Sequence, residues 1–208
     1  MVSASIAAVR ENGQVPAPTF RILTLCTGNI CRSPAADLLL AHALAGDERF
    51  AVSSAGTHAM TGWGISSPMD ELLAERGIES DQFVSRQADR ALLSSADLIL
   101  TATREHREWA VGAAPGTVRR AFTLTEFADA ADAHPEPAAV TARELTAWAA
   151  SHRPSAAVAN RGAATRRGYM EGDILDPYGR GRSAYVASLG QIEPLTGRIA
   201  RVLLSTHP

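Results

Sequence analysis

The chain has 208 residues, 46% of them hydrophobic and 20% charged, with a formal net charge of −2. This is enough for one domain with a substantial core, and it gives no electrostatic reason to bind nucleic acid or an anionic membrane surface. No apolar run approaches the roughly 20 residues needed to cross a bilayer, so membrane insertion is not expected.

Residues 1–18 have a short apolar patch but no basic n-region or cleavage pattern. They read as a flexible leader, with "VPAP" as extended linker, ahead of a single domain over 19–208 in a cytoplasmic protein. "FRILTLC" (20–26) is a short apolar run ending at a glycine-containing turn, which predicts a buried strand. From Pro34 the period changes: Ala36, Leu39, Leu40, Ala43 and Leu44 fall at helical spacing, and Pro34 suits a first helical turn. "RFAVSSAG" (49–56) predicts a second strand, and "SPMDELLAERGI" (67–78) a helix stopped by Gly77. "ADRALLSSADLILTAT" (88–103) reads as a short helix and a third strand, "HREWAV" as helix, and "VRRAFTLT" (118–125) as a fourth strand. Residues 128–171 form an Ala- and Arg-rich insertion. Within it "AAVTARELTAWAA" predicts a helix with Leu145, Trp148 and Ala149 as its buried stripe, and the rest reads as mobile loop. The tail 182–204 has amphipathic helical spacing, with Gly190, Pro194 and Gly197 expected to bend or interrupt it. Strands alternating with helices imply an α/β fold: a three-layer sandwich around a four-stranded parallel sheet.

Both cysteines of the chain, Cys26 and Cys31, lie in "LCTGNICRSP" (25–34), at the junction of the first strand and first helix. Two cysteines so placed are poor material for a disulfide framework, and the scattered histidines complete no zinc site, so no metal and no cofactor is expected. A strand–loop–helix junction is a natural anion site, because its backbone amides lack partners and the helix dipole favours negative charge. There a cysteine is favoured as the thiolate, the nucleophilic form. Arg32 supplies a bidentate fork for phosphate oxygens, Gly28 permits close backbone approach, and Asn29 tolerates the left-handed conformation that curls a loop. Ser33 can donate its hydroxyl to the sulfur. The stretch suits holding a tetrahedral oxyanion and attacking it with sulfur. A Cys-x5-Arg spacing alone occurs by chance, and a buried cysteine is often only a small hydrophobe.

"LCTGNICRSP" resembles the signature of the low-molecular-weight protein tyrosine phosphatases nearly letter for letter. "SSAGTHAMTG", "VSRQ", "SADLILTATREH" and "DPYGR" resemble further parts of that family, over roughly residues 19–127 and 172–204. The resemblance implies hydrolysis of protein phosphotyrosine through a phosphocysteine. Cys26 would be the nucleophile, Arg32 with the amides of Thr27, Gly28, Asn29, Ile30, Cys31 and Ser33 the phosphate clamp, and Asp176 the acid and base. Asp173 is the nearby rival, disfavoured by the Asp176–Pro177 pairing. Ser54 would bond Asn29 in a supporting network with Ser33. Tyr178 would line the pocket mouth, Met60 would form its wall, and Trp63 would be either outer rim or core. Cys31 would pair reversibly with Cys26 under peroxide, making the protein redox-sensitive. Departures are Phe83 where many relatives have histidine, Ala102 in place of a larger residue, and Gly179 where animal relatives have a second tyrosine.

Three alternatives stand beside this reading. A thioredoxin-coupled arsenate reductase needs further downstream cysteines, which are absent; one that borrows a small thiol stays open. Protein arginine phosphatases resemble this loop but carry threonine where this chain has Ile30, and an apolar Ile30 favours a flat phenyl ring over a guanidinium. A non-catalytic phosphotyrosine-binding or redox-sensing module would have no need of Cys26, Arg32 and Asp176 together. Arg153, Arg161, Arg166 and Arg167 could drape over the pocket and attract acidic phosphopeptides, or form a solvated face.

Overall fold

The computed structural model describes residues 19–153 and 172–208. The expected leader and residues 154–171 of the insertion, with Arg161, Arg166 and Arg167, lie outside the described residues. The elements run β1 (Phe20–Cys26), α1 (Arg32–Ala43), β2 (Phe50–Gly56), α2 (Met69–Ala74), α3 (Arg90–Ser95), β3 (Leu98–Thr101), α4 (Arg104–Ala113), β4 (Ala121–Thr123), α5 (Leu124–Asp132), α6 (Ala142–Ser151) and α7 (Arg182–Ser205). The four strands form one parallel sheet in the order β2-β1-β3-β4. Along β1 the side chains alternate as the pleat requires. Phe20, Ile22 and Cys26 join a large core with α1, α2, α5, α6 and α7, while Leu23 and Leu25 join a smaller one with α3 and α4. Both faces are therefore covered, which is why β1 and β3 read as nearly continuous apolar runs. The strand order reverses direction between β2-β1 and β1-β3-β4. A ligand crevice is expected there, outside the carboxyl end of β1.

Two expectations need correction. The fourth strand is only Ala121–Thr123, and the residues after it turn into α5 rather than loop. The cause is a capping box at Thr123-Leu-Thr-Glu126: Thr123 Oγ accepts from the Glu126 amide at 3.1 Å, and Glu126 Oε2 accepts from the Thr123 amide at 2.9 Å. Phe127, Ala128 and Ala131 then fall on the buried face. The second concerns the tail, where α7 runs unbroken for 24 residues with Pro194 inside it. Gly190, Pro194 and Gly197 all lie on its exposed side, opposite Leu189, Ile192, Ile199 and Leu203. The carbonyl that Pro194 leaves unbonded belongs to exposed Gly190, which water can satisfy, so core burial on the other face holds the helix together. Helix α6 starts at Ala142, four residues after the expected start, because Thr141 caps it, and ends at Ser151. Leu145 and Ala149 are buried and Trp148 is half-buried, with Thr141 and Glu144 forming a second capping box. Arg153 neither drapes over a pocket nor faces solvent: its guanidinium lies 4.0 Å from the Phe122 ring centroid and donates to Ala121 O at 2.5 Å.

Candidate active site

The loop from Cys26 to Cys31 joins the end of β1 to α1. Asn29 sits at φ 54°, the left-handed conformation its side chain tolerates, and this curls the loop. The loop carbonyls are drawn outward by a neighbouring segment, residues 57–66. Cys26 O accepts from Thr57 N at 2.9 Å, Thr27 O from His58 N at 3.0 Å, Gly28 O from Met60 N at 2.9 Å and Ile30 O from Ser66 N at 2.8 Å. A trans peptide points its N–H opposite to its C=O. The amides of Thr27, Gly28, Asn29 and Cys31 are thereby turned into the ring. No side chain caps the N-terminus of α1, and its first turn holds no acid, so its positive end also faces this ring. Gly56, beside Cys26 in the sheet register, makes the arrangement possible: a Cβ there would come within 2.5 Å of Thr27 O and 2.9 Å of Ala59 Cα.

Cys26 is buried, and its Sγ lies 3.0 Å from Ser33 Oγ. Ser33 Oγ accepts from Asn29 Nδ2 at 3.0 Å, and Asn29 Oδ1 accepts from the Arg86 amide at 2.9 Å. The Thr24 hydroxyl donates to Ser33 O at 2.9 Å, tethering the helix start to β1. Ser54 does not join this network as expected. Its Oγ is buried without a hydrogen bond of ordinary geometry, and its influence falls on the Asp37 carboxyl of α1. Burial pushes that carboxyl up to about 6, with Ser54 and Arg86 pulling it partly back. Burial, aided by the neighbouring Cys26, pushes the Cys31 thiol up to about 12, which keeps Cys31 a neutral thiol at neutral pH.

Arg32, buried in the first turn of α1, extends Nη2 to Asp176 Oδ2 at 2.9 Å and Nη1 to Ile174 O at 3.5 Å, while its Nε has no partner among the described residues. Asp176 is about one-third exposed, at 35%. Its segment is pinned beside the loop because the Ile174 amide donates to Ala102 O at 2.8 Å, just past β3. The buried, small Ala102 leaves room for that approach. Asp173 is engaged elsewhere, accepting from the Arg104 amide at 3.0 Å. Pro177 is buried and Tyr178 is exposed. Ile30 packs beside Gly28, where a Cβ would meet Ile30 Cγ1 at 3.3 Å and Met60 Cγ at 3.9 Å, so the two side chains form an apolar edge to the loop. Trp63 is 61% exposed, so it is not part of the core.

Sequence reasoning missed a set of supports. Ser85 and Arg86 hold the loop and its neighbouring segment: Ser85 N donates to Trp63 O at 2.8 Å, and Arg86 Nε donates to Ser54 O at 2.8 Å. Gln87 brackets the same segment, accepting from Ala59 N at 2.9 Å and donating to Thr57 O at 3.0 Å. His106 of α4 reaches Thr27 Oγ1 from the other side. The quoted "VSRQ" and "TATREH" contained these residues, but nothing in their spacing announced partners so far away in sequence.

The sequence model of the low molecular weight phosphotyrosine protein phosphatase family matches residues 21–144. Over 106 residues the chain is 35% identical to a probable low molecular weight protein-tyrosine-phosphatase, EpsP, of Ralstonia nicotianae, covering 51% of this chain and 71% of that one. Over 185 residues it is 30% identical to a protein-arginine-phosphatase of Geobacillus stearothermophilus, covering 88% and 96%. The solved structure of the YwlE arginine phosphatase from Geobacillus stearothermophilus matches the fold with a TM-score of 0.64 at 28% identity, covering 89% of this chain and 93% of that one.

Proposed function

Since the chain belongs to the low molecular weight phosphotyrosine protein phosphatase family, we propose that it hydrolyses phosphotyrosine in proteins through a cysteinyl-phosphate on Cys26. The observation that carries this reading is one convergence. The Cys26 sulfur, the Ser33 hydroxyl 3.0 Å away, the Arg32 guanidinium and the Asp176 carboxylate bonded to it at 2.9 Å all meet at the open end of β1.

In the first step the Cys26 thiolate attacks phosphorus and the phenolate oxygen leaves with a proton from Asp176. The inward amides and Arg32 hold the non-bridging oxygens, where charge persists through the transition state. An incoming phosphate competes with Asp176 for the guanidinium; the freed carboxylate takes up a proton, from water or from the phosphate monoanion itself, and turns to the leaving oxygen to deliver it. In the second step Asp176 takes a proton from water as that water attacks the phosphocysteine, and Cys26 departs as thiolate, stabilised by the Ser33 hydroxyl 3.0 Å away. Asp176 lies beyond the stretch matched by the family model, so its role rests on the ion pair with Arg32.

A second reading, protein arginine phosphatase, is favoured by the relative that is 30% identical along 88% of the chain. Ile30 and Met60 argue for the tyrosine class: their apolar edge suits the face of a phenyl ring and gives a guanidinium no polar partner. The test is turnover of a phosphotyrosine peptide, phosphoarginine and para-nitrophenyl phosphate by wild type, Cys26→Ser and Asp176→Asn. Phosphotyrosine turnover abolished by the first substitution and cut roughly 10²–10³-fold by the second is expected. Preference for phosphoarginine would move the protein to the second reading. Phosphotyrosine binding without turnover of any substrate would leave a binding module.

A further inference from the structure

His106 is buried on the first turn of α4, yet both ring nitrogens are engaged across elements. Nδ1 lies 2.8 Å from Thr103 Oγ1, and Nε2 lies 2.9 Å from Thr27 Oγ1, 79 residues away in sequence. Thr103 caps α4, its hydroxyl oxygen accepting the His106 amide at 3.3 Å. In either neutral tautomer one ring nitrogen donates to its threonine hydroxyl and the other accepts from the other threonine, so both contacts are satisfied. The charged groups facing the ring are Arg32 on α1 and His58 on the neighbouring segment. Together with burial, the dominant cause, they press the imidazole down to about 3, so it holds this neutral arrangement through the working range.

Thr27 follows the nucleophile directly. Its carbonyl is tied outward to His58 N, its amide faces into the ring, and its exposed side chain has His106 as its structural anchor. We infer that His106 is a positioning residue for the phosphate-binding loop, acting through Thr27 to fix the peptide that joins the nucleophile to the first inward amide. The inference rests on the phosphate-binding reading of that loop. Without His106 the Thr27 end is held by the carbonyl bond alone, and the Cys26–Thr27 amide can rock away from the oxyanion.

The test combines His106→Ala, His106→Gln, Thr27→Val, Thr27→Ser and the His106→Ala/Thr27→Val double variant. Readouts are kcat and KM on para-nitrophenyl phosphate and the affinity for inorganic phosphate by calorimetry. His106→Ala and Thr27→Val should each lower kcat/KM and weaken phosphate binding roughly tenfold, with the double variant no worse than either single one. Thr27→Ser, which keeps the hydroxyl, should restore most of what Thr27→Val loses, a rescue that a merely structural role for His106 does not predict. Multiplying losses in the double variant, or unchanged phosphate affinity in Thr27→Val, overturns the inference. Should the His106 variants fail to fold, Thr27→Val against Thr27→Ser still decides it. A wild type that binds phosphate but turns over no aryl phosphate would sink the enzymatic reading while leaving the binding comparison intact.

Discussion

Ser33 has one proton, and two acceptors compete for it. Asn29 already donates to its oxygen, so the hydroxyl hydrogen goes either to Cys26 Sγ at 3.0 Å or to Ala55 O at 3.4 Å. The sulfur contact is the shorter, although sulfur has the larger radius, and a thiolate draws the proton further. A hydrogen bond to a charged group contributes about 1.5–3 kcal/mol. Ser33→Ala should therefore lower kcat roughly 10- to 100-fold with little change in KM, read from steady-state rates on an aryl phosphate. An equal loss in KM would mean that Ser33 binds substrate rather than supporting the sulfur. At this scale much was legible, because Cys26, Asn29, Arg32 and Ser33 lie within eight residues and the chemistry of each type is local. Ser54 misled because its surroundings depend on how β2 side chains splay against α1, where it sits near the Asp37 carboxyl instead of bonding Asn29. His106 was invisible because its partner belongs to another strand's loop.

Among the elements, the segment 57–66 supports the loop by bonding its carbonyls, and Gly56 sets how closely the two approach. Gly56→Ala places a methyl within 2.5 Å of the backbone oxygen of Thr27, a contact that only backbone displacement can relieve. The expected outcome is destabilisation of about 2 kcal/mol or more together with a loss of phosphate affinity, measured by chemical denaturation and calorimetry. An enzyme with wild-type stability and affinity would show that the two segments are not so closely coupled. The alternation of strands and helices was legible because apolar period and turn residues are local signals. The start of α5 carried its own signal in Thr123-Leu-Thr-Glu126, which a strand reading of the preceding β-branched residues obscured. The continuity of α7 was not legible, since the exposure of Gly190, Pro194 and Gly197 is a property of packing.

For the molecule as a whole, two buried groups give stability opposite pH dependences. Asp37 is raised to about 6 in the fold from an ordinary value near 3.8. Its contribution is fully present below that lower value and is lost as pH rises through about 6, a cost on the order of 3 kcal/mol at neutrality. His106 is lowered to about 3 from 6.5, so its contribution is present above 6.5 and is lost as pH falls toward 3, on the order of 5 kcal/mol in all. Between about pH 6 and 4 the two trends oppose each other. Wild-type stability should therefore vary little across that window. Asp37→Asn should lose stability on acidification, and His106→Gln should gain it. Denaturation midpoints at several pH values decide this, and parallel curves for all three proteins would contradict it. The surface carboxylates held low by arginine or by capping, such as half-buried Asp47 and exposed Glu144, add little because solvent screens them. None of this was legible from sequence, because burial of Asp37 and His106 emerges only when α1 and α4 pack on opposite faces of the sheet.

The central claim, that Cys26 carries the phosphoryl group between two steps served by Asp176, has a direct measurement. Asp176→Asn is mixed with a phosphotyrosine peptide, quenched in acid during turnover, and digested for mass spectrometry. The account predicts one phosphoryl group on the peptide containing Cys26, because the substitution removes the base that activates water and the intermediate accumulates. Tyrosine release with no phosphoryl group on Cys26, or with the group on another residue, would contradict it.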